Sequence, residues 1–277
     1  MLERHPMHTG TLLAHAVCWS HMVLSTGCVY AGVAANGIPL NGESFPGVSQ
    51  RAVSTAVRRS HSAAQAVPAP SAEMPVAGSA QQRELADPTL ASTAAKREQL
   101  RYLVRCALPE QSTVYADYAG ERFMFQGSMG LAPRWLDAAL TPREERWVSA
   151  CLLAHVNYFG KHVLVSMRAT PPPVPTLEAS NDEQQTFSIF EGGFFGNLFL
   201  PEPVAYTCRG ARTPVQASDP ILQDRVCTRE TGETTANGTL VTVCHFLFTG
   251  RCEDPTSFTV DGAYYSEVIF IYLKPSQ

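Results

Sequence analysis

The chain has 277 residues, of which 45% are hydrophobic and only 17% charged, with a formal net charge of -4. That charge argues against a phosphate-backbone ligand, which wants a basic patch, so no nucleic-acid partner is expected. No run of about 18 apolar residues exists beyond the N-terminus, so no internal membrane span is expected.

The first apolar run, TLLAHAVCWSHMVL from Thr11 to Leu24, is too short to span a bilayer and lies where the apolar stretch of an export signal lies. It closes on LSTGC, which resembles the lipobox of bacterial lipoproteins, in which the thiol (here Cys28) receives diacylglycerol. The pattern departs at Ser25, where Leu is preferred. Val29-Tyr30-Ala31 offers a small-x-small site for ordinary cleavage instead. Residues 1–31 therefore read as a signal peptide, with lipid attachment at Cys28 and free secretion both open.

Gly32, Gly37, Gly42 and Gly47 recur at a spacing of five. So few pentads cannot stack into a solenoid, so the stretch reads as a flexible leader. From Pro46 to Arg101 there is no Phe, Trp, Tyr or Ile. Such a segment buries too little apolar surface to offset chain entropy. It reads as a disordered Ala/Ser/Pro-rich spacer with room for one helix after Pro88. Leader and spacer fill residues 32–99, and a globular domain is expected over 100–277.

In that domain, Arg101 to Cys106 alternates like a half-buried strand. Ser112 to Tyr118 and Arg122 to Phe125 flank Ala119-Gly120 as a hairpin. Thr141-Pro142-Arg143-Glu144 is a capping box with Pro at the first helical position. Trp147, Cys151, Ala154 and Tyr158 then share one helix face, and Gly160 is the stop. This face should pack on the sheet and leave Arg143, Arg146 and His155 near the surface. His162 to Met167 is the next strand. Asn237-Gly238 and Asp261-Gly262 are two-residue turns, with long strands expected over Thr239–Phe248 and Ala263–Leu273. The predicted class is α+β: a mainly antiparallel sheet with one main helix packed on it, disulfide-stabilised, preceded by a disordered spacer.

Eight cysteines are present, of which Cys18 and Cys28 fall in the signal. An even set of six remains, as an oxidising compartment favours. The expected pairs are Cys106–Cys151, joining a strand to the helix face; Cys244–Cys252, closing a hairpin end; and, by elimination, Cys208–Cys227. No Cys-x-x-Cys occurs, and neither a metal nor a cofactor is expected.

Ser128 in Gly127-Ser128-Met129-Gly130 lacks the glycine two positions earlier that a nucleophile elbow needs, since Gln126 stands there. His155 and Asn157 near Cys151 read as packing residues. Glu191, within Phe190-Glu191-Gly192-Gly193-Phe194-Phe195, is the catalytic candidate. Apolar neighbours would favour its neutral form, as a general acid needs, and Asp117, Asp182 or Glu183 would be its partner in glycan hydrolysis. The plainer reading is a turn acid that accepts backbone hydrogen bonds, with the phenylalanines in the core.

The blocks NGIPLNGESF, YLVRCALP, GLAPRW, WVSACLLAHVN, EGGFFGNLF and FTGRC together resemble uncharacterised exported proteins known mostly from myxobacteria. The likeness spans about residues 36 to 252. It implies a pentad leader before an exported Cys-containing domain, and it brings no catalytic residue. The short leader departs from the longer arrays of that group.

These readings converge on an exported envelope or secreted protein that presents a binding surface to an envelope or extracellular partner. It would touch a membrane only through an N-terminal lipid. The alternative is a secreted, glycan-directed hydrolase with Glu191 as general acid.

Overall fold

The fold is seen in a computed structural model that describes residues 33–36, 81–85, 87–158, 163–210, 225, 227–252 and 258–275. The export signal, Cys28, Gly160, most of the glycine leader and the spacer over 46–80 lie outside the described residues.

An eight-stranded sheet organises the chain. In chain order its strands are β1 (Val33–Asn36), β5 (Val163–Arg168), β6 (Ile189–Asn197), β7 (Val204–Arg209), β8 (Glu230–Thr234), β9 (Leu240–Thr242), β10 (Leu247–Arg251) and β13 (Ile269–Leu273). Their spatial order is β1-β5-β13-β6-β7-β10-β9-β8. Every neighbouring pair is antiparallel except β7–β10, which is parallel. A smaller sheet joins β2 (Gln81–Glu84), β3 (Ser112–Tyr118) and β4 (Glu121–Gln126), and β11 (Phe258–Val260) pairs with β12 (Ala263–Tyr265) as a hairpin. The helices are α1 (Ala94–Ala107), α2 (Pro142–Ala154) and the short α3 (Asn181–Thr186). The class is α+β, with a mainly antiparallel sheet.

Helix α2 forms as its sequence dictates. The Thr141 hydroxyl accepts from the Glu144 N–H, and the Glu144 carboxylate accepts from the Thr141 N–H. Trp147, Cys151 and Ala154 are buried against the sheet, while the helix ends before Tyr158. Period-two alternation along β6 then divides the core. Phe194 enters the large cluster on the helix side, at 6.1 Å from the Phe246 ring. Phe195 enters an aromatic cluster on the other face, stacked on Phe258 at 4.7 Å and beside Tyr206 and Tyr265.

Several expectations are corrected. Arg101–Cys106 is not a strand but the last half of α1, whose N-cap Thr93 accepts from the Lys96 N–H. Its buried face is too wide for a half-buried strand: Tyr102, Leu103, Val104 and Cys106 are all enclosed. The folded part also begins upstream of residue 100. Strand β2, the turn of 3-10 helix at Pro88–Ala91 and the start of α1 all precede it, and Leu85 and Leu90 are core residues. The long strands expected at 239–248 and 263–273 are each broken in two. His245 adopts a positive φ in the turn between β9 and β10, and Tyr265 and Ile269 bracket a non-strand link. The Asp261-Gly262 turn stands as expected, with φ of +51° and +78°, whereas the loop at Asn237-Gly238 has three residues, Ala236 to Gly238, between Thr235 and Thr239, with positive φ at Gly238 and not at Asn237.

Of the disulfides, Cys106–Cys151 stands as expected and ties α1 to α2, with Cα atoms 5.8 Å apart. The other two pairs are exchanged: the chain forms Cys208–Cys252 and Cys227–Cys244. Parallel pairing of β7 with β10 explains the first, because the Cys252 N–H donates to the Arg209 carbonyl. The β8–β9 hairpin explains the second, where the Val243 N–H donates to the Arg229 carbonyl and closes the two cysteines on each other. Three enclosed disulfides belong to a non-reducing, extracytoplasmic environment. Among the described residues no helix is long and apolar enough to cross a membrane.

Candidate functional site

Glu191 is the sequence's leading acid, and the backbone delivers it inward. Ile271 pairs with Gly192 while Tyr272 pairs with Phe190, so Glu191 is the extra residue of a β-bulge. Such a bulge re-aims a side chain. The Glu191 side chain turns to the α2 side, where its Oε2 accepts from Arg225 Nε at 2.5 Å. The two terminal nitrogens of Arg225 donate to the carbonyls of Val156 and Ala154, each at 3.0 Å. One buried guanidinium thus caps the carbonyl end of α2, where the helix dipole favours a cation, and neutralises the carboxylate. Glu191 is 1% exposed and Arg225 likewise.

The expected carboxylate partners are elsewhere. Asp117 is an exposed residue of the β3–β4 hairpin, where the hydrogen bonds of Arg122 hold its carboxyl below the usual range. Asp182 is exposed on α3. Glu183 is buried on the other face of the main sheet: Ser166 alternates with the core residues Val165 and Met167, and the Ser166 hydroxyl donates to Glu183 Oε1 at 2.5 Å. Burial raises the Glu183 carboxyl, and the Ser166 hydrogen bond and Arg168 work in the opposite direction. Arg168 lies over the Tyr272 ring at 3.8 Å and donates to the Phe187 carbonyl, so it locks α3 to the sheet. Glu183 and Glu191 therefore face opposite sides of one sheet and do not flank a common bond.

His155 is not near the surface as expected. It is 1% exposed and ends α2 between the two linked cysteines, with Nδ1 3.9 Å from Cys106 Sγ and 3.8 Å from Cys151 Sγ. Nδ1 donates to the Cys151 carbonyl at 2.8 Å, which fixes the neutral tautomer. Burial pushes its pKa down to about 3. This is a His/Cys cluster of metal-binding spacing, but its two sulfurs are bonded to each other. Arg143 is exposed and Arg146 half-buried, and both reach the enclosed Glu267, at 3.5 and 2.8 Å. Burial opposes the Glu267 charge, and the Arg146 hydrogen bond and charge outweigh it and hold that carboxyl down.

A groove open to solvent lies beside the small sheet. It measures about 360 Å³ and runs between α1 and β4. Arg101 and Arg105, one turn apart on α1, form one wall. Met124 and Gln126, alternate outward residues of β4, form the other, and Glu110 and Ser128 close the end. No residue of β3 lines it, so it follows the unpaired edge of β4. Ser128 forms an isolated bridge with Pro109: its N–H donates to the Leu108 carbonyl, and the Gly130 N–H donates to the same oxygen. Gly127 is required there, because a Cβ would stand 2.2 Å from the Pro109 carbonyl oxygen.

The sequence reading missed Arg225 and this groove. Arg225 lies in a polar stretch with no periodicity to mark it. The groove was hidden because reading 101–106 as a strand removes the i, i+4 relation that sets Arg101 and Arg105 together.

No protein-family model, curated protein or solved structure matches the chain.

Proposed function

We propose that the protein is an exported envelope or secreted binding module that engages its partner at the α1–β4 groove. The observation that carries this reading is the contrast between the two polar sites. Glu191 is enclosed by Arg225 and the end of α2, whereas the groove is open and lined by side chains without catalytic geometry. The resemblance to exported myxobacterial proteins and the three disulfides support export. Lipid attachment at Cys28 and free secretion both fit this reading. In native material, the mature chain is expected to begin at Cys28 with added lipid mass or at Gly32 without it. Intact mass measurement distinguishes the two, and a native chain beginning at Met1 contradicts export.

The binding reading is tested against the hydrolase reading by assaying the full chain on glycan and peptide substrates. The expected result is no turnover. Turnover that is lost in a folded Glu191→Gln variant overturns the binding module in favour of the hydrolase.

A further inference from the structure

The register of β3 and β4 decides which backbone groups face the groove. The Gly127 N–H donates to the Ser112 carbonyl, and Thr113 pairs with Gln126 without a register shift through to Tyr118 and Glu121. In an antiparallel ladder the hydrogen-bonded pairs alternate. The pairs at 125, 123 and 121 are thus bonded to β3, and the N–H and C=O groups of Arg122, Met124 and Gln126 point away from it. Among the described residues no strand pairs with that edge.

Exposed edges are usually blunted by charge, proline or a bulge. On β4 the charges Glu121 and Arg122 sit at the hairpin end, and the Met124–Gln126 stretch has none of these devices. Met124 is 61% exposed, an apolar contact beside a free edge. The opposite wall is cationic. Arg101 pairs with Glu98, while Arg105 makes no ion pair among the described residues.

We infer that the groove binds an extended acidic peptide segment of a partner protein, which adds as a strand to β4 at Met124–Gln126 and sets its carboxylates against Arg101 and Arg105. This rests on the binding-module reading and names its ligand class. Main-chain hydrogen bonds to the edge would supply affinity, and alternate side chains would supply selectivity. The charge complementarity selects an acidic strand over a basic one. No aromatic ring lines the groove, which removes the stacking platform that a sugar or a base would use.

The probe is a fluorescein-labelled hexapeptide of alternating valine and glutamate, titrated into the full chain and read by anisotropy. Saturable binding is expected, weakened at least about tenfold by Arg105→Gln and by about 0.5 M salt. Met124→Pro is expected to abolish it at unchanged melting temperature, because that N–H lies outside the β3 ladder. An alternating valine–lysine peptide should bind at least about tenfold more weakly. No saturation by the glutamate peptide at about 1 mM, or equal affinity for the lysine peptide, overturns the proposal. Equal lysine-peptide affinity that Met124→Pro still abolishes removes the acidic class but leaves the groove as a binding site. Turnover dependent on Glu191 removes the binding module itself.

Discussion

Arg225 satisfies three acceptors at once, and its removal would leave Glu191 charged and enclosed beside the carbonyl end of α2. Breaking one side of a buried ion pair costs about 3–5 kcal/mol. Arg225→Met should therefore lower the unfolding free energy by that amount in denaturant titration, and a loss below about 1 kcal/mol would show that the pair is not enclosed. His155 gives a pH signature. Burial sets its folded pKa at about 3, whereas an unfolded histidine titrates near about 6.5. Between those values the unfolded chain carries a proton that the folded chain lacks. Its contribution is complete above about pH 6.5 and is lost as pH falls towards 3, at no more than about 1.4 kcal/mol per unit. His155→Gln should flatten the slope of stability against pH in this window, and equal slopes for variant and parent would refute the buried neutral histidine. Neither residue's role was legible in the sequence. Burial of a single polar side chain depends on which distant carbonyls meet it, and Val156 and Arg225 meet only through the fold.

At the scale of elements, legibility followed local chemistry. Helix α2 carries its own start signal in Thr141 to Glu144, and the hairpins at Ala119-Gly120 and Asp261-Gly262 carry their turns, so all three were readable. Helix α1 was not. Over six residues, Tyr102, Val104 and Cys106 satisfy a period of two as well as a helical face, and its cap Thr93 lies in a segment read as spacer. The disulfides divide the same way: Cys106 and Cys151 rest on local elements, while Cys208 meets Cys252 only because β10 joins β7 in parallel across a long connection. The Phe190–Phe199 block entered the core on both faces of β6, which requires glycine where β7 crosses it. A Cβ on Gly192 would lie 2.1 Å from the Cys208 carbonyl oxygen and 2.9 Å from Thr228 Cγ2. Gly192→Ala must push β6 from β7, and a fall in melting temperature of about 5 °C or more is expected. An unchanged melting temperature would contradict this packing.

For the whole molecule, the main sheet is a scaffold with α2 packed on one face and the β11–β12 hairpin and α3 on the other. The small sheet joins the same core through Val114, Ala116 and Phe125, and among the described residues the outer edge of β4 has no partner strand; there the account places function. Hydrogen exchange at that edge is the most direct test. On saturation with the valine–glutamate peptide, the Met124 and Gln126 amides should slow at least about tenfold, while amides already bonded within the ladder, such as Phe125, change little. Saturating peptide that leaves the Met124 and Gln126 amides exchanging as they do in the free protein would contradict strand addition at β4.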